Sequence, residues 1–194
     1  MTKTRPEYLP GLYYHIFNRG ANKQEIFREK SNYLYVLQYI KQYSKEFDLS
    51  IIAYCLMPNH YHILVRQNSD HSAFLLPQRV FNRYTKAFNQ SYSHSGTLFE
   101  GRYKCKVVED DSYLIHLCKY IHINPVKAGL VTKPEDWDYS NFQEFIGLRN
   151  GSLFDPGFFE EYFHGHNDYY DFVMEDLLGQ NIPNGVKKFW DKMD

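Results

Sequence analysis

The stretch from Tyr54 to Arg66, YCLMPNHYHILVR, restricts the fold of this chain more than any other. Two apolar runs flank Met57-Pro58-Asn59, and proline bars continuous strand pairing. The stretch therefore predicts two strands meeting at a sharp break, Leu49 to Leu56 and Asn59 to Gln67. Strand side chains alternate between faces. His60 and His62 share one face, while Tyr61, Ile63 and Val65 share the other. A strand holds two such imidazoles at nearly fixed spacing, which suits chelation of one divalent metal. A pair of structural or surface histidines also fits an isolated His-x-His.

The remaining chain supplies the partners for this hairpin. Leu12 to Arg19 reads as a strand ending at Gly20, with Tyr14, Ile16 and Asn18 on one face. Tyr35, Val36, Tyr39, Ile40 and Tyr43 recur at helical spacing between Ser31, a candidate N-cap, and Phe47. A second helix is expected within His71 to Tyr92, with Pro77 near its first turn. Thr97 to Val108 reads as a fourth strand in which Gly101 marks a bulge or a close backbone approach. Asp110-Asp111-Ser112 then opens a helix from about Tyr113 to Ile123, stopping near Asn124-Pro125. The order is an α+β, ferredoxin-like βαββαβ sandwich: an antiparallel sheet with helices on one face, then a further helix. Beyond Asp138, short helices are expected at Tyr139 to Ile146 and Asn167 to Leu178, interrupted by glycines and prolines as far as Pro183 and Gly185. Two units follow: a main domain over residues 1–148 and a C-terminal acidic extension, 149–194, packed on it.

Charge sharpens the reading. The net charge of −1 conceals 18 Lys+Arg against 10 Asp+Glu in residues 1–134, and 4 against 13 thereafter. Arg79, Arg83, Lys86, Arg102, Lys104 and Lys106 fall in one span with a single acid, Glu100. That is the composition of a phosphate-contacting surface, and equally of an ordinary solvated edge. Arg102, Lys104 and Lys106 are expected on one strand face. The acidic tail reads as a solvated helical face, or as a competitor for the basic surface. Cys55, Cys105 and Cys118 form no Cys-x-x-Cys pair, which argues against a zinc ribbon or a disulfide framework. With no apolar leader or span in view, a cytoplasmic location without a membrane partner is expected.

Chemistry concentrates on the helix that ends at Asn124. Residues four apart stack on one helical face, so Tyr120 and Asn124 project together. The Asn124 amide oxygen is a hard ligand suited to Mg²⁺ or Mn²⁺. Two imidazoles and that oxygen would leave coordination positions open for a phosphate oxygen and water. Tyr120 would then stand one turn away as a nucleophile. Only about one phenol in a thousand is ionised at neutral pH, so it needs nearby positive charge. Tyr113, seven residues earlier on nearly the same face, is the rival nucleophile. His122 is expected at a polar surface, and His116 at the surface or in packing, with assistance to proton transfer as its other reading.

His60-Tyr61-His62 resembles the histidine signature of HUH endonucleases, and Tyr120 to Gly129, YIHINPVKAG, resembles the tyrosine helix of the REP-associated tyrosine transposases. Further matches are Phe17-Asn18-Arg19-Gly20, Met57-Pro58-Asn59, Gly101-Arg102-Tyr103 and Asp138-Tyr139-Ser140. The resemblance implies a Mg²⁺- or Mn²⁺-dependent enzyme that nicks and rejoins single-stranded DNA beside a hairpin. It implies His60, His62 and Asn124 as metal ligands and Tyr120 as the nucleophile that takes the 5′ phosphate. Asn18, Arg19, Arg79, Arg83, Lys86, Arg102, Tyr103 and Lys104 are the expected DNA contacts, and a monomer is favoured over a homodimer. Two other classes compete: a non-catalytic single-stranded nucleic-acid binder on the same fold, and a metal hydrolase with no tyrosyl intermediate.

Overall fold

The structure is a computed structural model and describes residues 8–177. Four strands, β1 (Tyr13–Arg19), β2 (Leu49–Met57), β3 (His60–Gln67) and β4 (Lys104–Val108), form one antiparallel sheet in the order β2-β3-β1-β4. Helices α1 (Lys30–Glu46) and α2 (Leu75–Ser91) follow β1 and β3, which completes the ferredoxin-like order. Period-two alternation decides which side of the sheet each residue serves. Tyr14, Ile16, Tyr61, Ile63 and Val65 join Val36, Ile40, Val80 and Tyr84 in a core beneath α1 and α2.

The other face is covered as well, by elements that follow the fourth strand. Helix α3 (Asp111–Lys127) lies there, with Leu64, Cys55 and Met57 from the sheet packed against Leu117, Cys118 and Ile121. Three short helices, α4 (Phe142–Phe145), α5 (Pro156–Tyr162) and α6 (His166–Leu177), continue this second core through Phe145, Phe158 and Tyr169. Leu178, Pro183 and Gly185 lie outside the described residues.

Three boundaries differ from the sequence reading for identifiable reasons. The fourth strand is shorter than Thr97 to Val108: only Lys104–Val108 pairs along β1, while Phe99 makes a single bridge to Gly20. Gly101, at φ +79°, turns the chain between the two contacts. Arg102 therefore precedes the strand and does not line up with Lys104 and Lys106. Ser31 lies inside the first turn of α1, its hydroxyl donating to Glu29, the N-cap residue. Helix α3 runs through Pro125 to Lys127 instead of stopping at Asn124. Pro125 forfeits one backbone donor, and the Asn124 side-chain amide supplies an extra one by donating to the Tyr120 carbonyl at 2.8 Å.

Strand β2 stands at the sheet edge, where bare N–H and C=O groups must find partners. The segment 137–141 provides them. Trp137 Nε1 donates to the Leu56 carbonyl, the Leu56 N–H donates to Tyr139, and the Tyr54 N–H donates to Asn141 Oδ1 at 2.8 Å. Asn141 Nδ2 returns a bond to the Ile52 carbonyl at 2.8 Å. His122 of α3 meets the same Asn141 Oδ1 through Nε2 at 3.0 Å, and its Nδ1 meets the Tyr169 hydroxyl at 2.6 Å. His122 is fully buried, so the expected surface role is corrected: it ties α3 to β2 and to α6.

Two outcomes follow from this network. Asn141→Ala strands a buried backbone donor and a buried acceptor, and should cost about 3 kcal/mol in urea unfolding; a loss under about 1 kcal/mol would mean that the edge does not depend on it. Burial also lowers the His122 pKa from 6.5 to about 4. The unfolded chain therefore takes up this proton first. The stabilisation is complete above pH 6.5 and is lost as the pH falls towards about 4, at up to about 1.4 kcal/mol per unit. Imidazole NMR should find His122 neutral at pH 5; a midpoint near 6.5 would contradict this.

Candidate active site

The site is built on the sheet face beneath α3, around the break between β2 and β3. Three backbone donors fix that break: Gly20 N–H donates to the Asn59 carbonyl at 2.7 Å, and Ile26 and Phe27 N–H donate to the Pro58 carbonyl at 2.7 and 3.0 Å. A Cβ at Gly20 would collide with the Gln24 carbonyl oxygen, so this close approach requires glycine. Immediately after the break, His60 and His62 stand on one face, with ring centroids 5.2 Å apart. Tyr61 points the opposite way and stacks on Phe81 of α2 at 3.8 Å.

Each imidazole has a partner for its Nδ1. Asn59 Oδ1 lies 2.7 Å from His60 Nδ1, and His15 Nε2 lies 3.0 Å from His62 Nδ1. His60 is half-buried, whereas His62 and His15 are buried. Desolvation, then the neighbouring His15 and His60, hold the His62 pKa well below its usual value. Desolvation, with help from Lys106, lowers that of His15 to about 3. Burial thus keeps these rings neutral, the form in which an imidazole nitrogen ligates a metal.

Tyr120 comes down from α3 onto this face. Its ring meets that of His62 edge-on, with centroids 5.5 Å apart and planes at 83°. Tyr120 is itself buried, and the Lys127 ammonium lies 5.6 Å from its ring centroid. Asn124, one turn further along α3, is buried beside it. Its Nδ2 is occupied by the Tyr120 carbonyl, which leaves Oδ1 as the atom with ligand character. Tyr113 is half-buried, and burial raises its pKa.

Among the described residues no cluster of three or more His, Cys, Asp or Glu could hold a metal ion. Two imidazoles and an amide oxygen are a different donor set. The arrangement of both Nδ1 atoms, each against an outer polar partner, suits ligation through the two Nε2 atoms.

The expected DNA contacts do not gather in one place. Lys104 stands on the histidine face, its ammonium 5.7 Å from the Phe17 ring, with Lys106 at 5.8 Å. Asn18, Arg102 and Tyr103 line a cavity of about 430 Å³ with Tyr61, Phe81 and Phe99, on the reverse side of the sheet. There the Asn18 amide donates to the Gly101 carbonyl. Arg79, Arg83 and Lys86 flank a groove on α2 with Tyr35 and Tyr43. Arg19 is paired with Glu100. Sequence reasoning missed His15, Lys127 and the Nδ1 partner Asn59. The signals were available: His15 and Phe17 alternate with the apolar face of β1, and Lys127 follows Tyr120 by two helical turns.

Residues 8–124 match the family model described as IS200-like transposase, a span that includes both histidines, Tyr120 and Asn124. A Haemophilus influenzae protein named as a REP-associated tyrosine transposase is 33% identical over 117 residues, which are 55% of this chain and 66% of that protein. The alignment thus spans about two thirds of the relative. A solved structure of a REP-associated tyrosine transposase bound to a REP hairpin shares the fold, with a TM-score of 0.61 at 20% identity, covering 80% of this chain and 94% of that one.

Proposed function

The chain belongs to the IS200-like transposase family, and on that premise we propose that it nicks and rejoins single-stranded DNA at a hairpin through a phosphotyrosine formed on Tyr120. The observation that carries the reading is the contact of the Tyr120 ring with His62, on the same strand face as His60. A nucleophile and a chelating pair from distant parts of the sequence converge within one chain.

His60 and His62, through Nε2, and Asn124, through Oδ1, would hold Mg²⁺ or Mn²⁺. The ion would supply Lewis-acid polarisation of the scissile phosphate. Asn59 and His15 orient the two imidazoles. The Tyr120 oxygen attacks phosphorus; a P–O bond to tyrosine forms as the bond to the 3′ oxygen breaks. The 3′ oxygen leaves as a hydroxyl after gaining a proton, and the phenolic proton is lost to solvent. The phosphotyrosine keeps the energy of the phosphodiester, so a second 3′ hydroxyl can displace Tyr120 and rejoin the strand. Lys127, over the Tyr120 ring, favours the phenolate by Coulomb attraction. Lys104 and Lys106 offer phosphate contacts on the site face.

The hairpin substrate rests on the resemblance to REP-associated transposases. No helix among the described residues is long and apolar enough to cross a membrane, and the cysteines are free. These features accord with work in the cytoplasm.

Incubation with a hairpin oligonucleotide and Mn²⁺ should give a covalent protein–DNA adduct on denaturing gels. Tyr120→Phe should abolish it while changing hairpin affinity less than about threefold, under 1 kcal/mol; an adduct that persists in the Phe variant would move the nucleophile elsewhere. Binding without any adduct in the wild type would favour a non-catalytic binder. Lys127→Met should slow adduct formation about tenfold at pH 7, about 1.4 kcal/mol of lost charge stabilisation, and recover at higher pH. A rate unchanged at pH 7 would remove Lys127 from the chemistry.

A further inference from the structure

We infer that His15 is a positioning residue: its Nε2 accepts the Nδ1 proton of His62 and so turns the Nε2 lone pair of His62 towards the metal. The inference rests on the metal-dependent reading above and adds to it the group that sets the protonation pattern of one ligand.

The contact is a hydrogen bond by its shape as well as its length. The nitrogens are 3.0 Å apart. The two ring planes differ by only 19°, yet their centroids stand 5.2 Å apart, against 3.8 Å for the face-to-face pair Tyr61 and Phe81. The imidazoles therefore meet edge to edge, in the plane that contains the nitrogen lone pairs and N–H bonds. Neighbouring strands hold them there. Phe17 lies opposite His62 in the β1–β3 register, and His15, two residues earlier, lies opposite Leu64. The Phe17 ring is 4.7 Å from His15 and 5.8 Å from His62, so it restrains both.

One proton occupies the space between the two nitrogens, and its placement has two chemical consequences. With the proton on His62 Nδ1, the neutral ring presents Nε2 as a lone pair. With the proton on His15 Nε2, His62 must carry its own on Nε2, and that atom cannot ligate. With its own proton on Nδ1, His15 accepts at Nε2 and so selects the first arrangement. Asn59 does the same for His60: its Oδ1, an obligate acceptor, faces His60 Nδ1 at 2.7 Å. Each proposed imidazole ligand thus has an outer acceptor on Nδ1, one an amide and the other a buried imidazole.

The test uses the full chain and Mn²⁺ alone, with no DNA. His15→Phe keeps a flat ring but has no acceptor, and His15→Gln restores one through Oε1. Titration by calorimetry or Mn²⁺ electron paramagnetic resonance should show about 10–100-fold weaker binding for the Phe variant and substantial recovery for Gln. Nitrogen-15 NMR of the wild-type imidazoles with Mg²⁺ should find the His62 proton on Nδ1. Mn²⁺ affinity unchanged in His15→Phe would overturn the inference, as would a wild-type His62 protonated on Nε2, whether or not the Phe variant folds. A wild-type chain that binds no Mn²⁺ would instead bring down the metal-dependent reading, and this inference with it.

Discussion

The register between β1 and β3 at the middle of the sheet fixes both the core and the site. Phe17 opposite His62 and Ile16 opposite Ile63 place aromatic and imidazole rings on one face and aliphatic side chains on the other. A slip of one residue would send every side chain of β3 through the sheet. His60 and His62 would then enter the apolar layer beneath α1 and α2, and Tyr61, Ile63 and Val65 would meet α3. The fold resists this at the break itself, where the Pro58 and Asn59 carbonyls are held by N–H groups of Gly20, Ile26 and Phe27. Those donors come from the end of β1 and the loop after it. The strand that pairs with the histidines also anchors the turn that starts them.

The second constraint is the seat of α3. Tyr120 reaches His62 only if the helix keeps its rotation and height over the sheet. Hydrophobic contact alone is non-directional and would tolerate small rotations. His122 supplies direction, since its two ring nitrogens are hydrogen-bonded to Asn141 and Tyr169. Both partners lie beyond residue 124, where the family match ends. Lys119, also buried, donates to the Phe172 carbonyl of α6 at 2.8 Å. The C-terminal helices therefore orient the tyrosine helix, although no chemistry could be assigned to them from composition.

Much of this was written in the sequence because two periodicities dominate. Alternation in YCLMPNHYHILVR put His60 and His62 on one face, and helical spacing in α1 put Val36 and Ile40 on its core side. The ferredoxin-like class came from the order of elements along the chain. The errors lie where tertiary contacts override local pattern. Helix α3 passes Pro125 because packing on both sides outweighs one missing hydrogen bond. His122 looked like surface because histidine is polar, yet a buried histidine is stable when both nitrogens are paired. The fourth strand was drawn too long because Phe99 and Lys104 each touch β1, with a left-handed glycine between. His15 stayed hidden because its partner is 47 residues away.

The distribution of charge completes the argument. Lys104, Phe17 and His62 occupy one row across β4, β1 and β3. Neighbouring strands are about 4.8 Å apart, so the Lys104 backbone stands roughly 10 Å from that of His62. A lysine side chain spans much of that gap. Burial lowers the pKa of His62 and of His15, so these two rings contribute no cationic attraction for phosphate. The lysines, exposed at the edge strand, offer positive charge that needs no desolvation. Ligation and phosphate capture require opposite environments, one dry and one wet. Three adjacent strands supply both within a single row, with the Phe17 ring as the boundary between them.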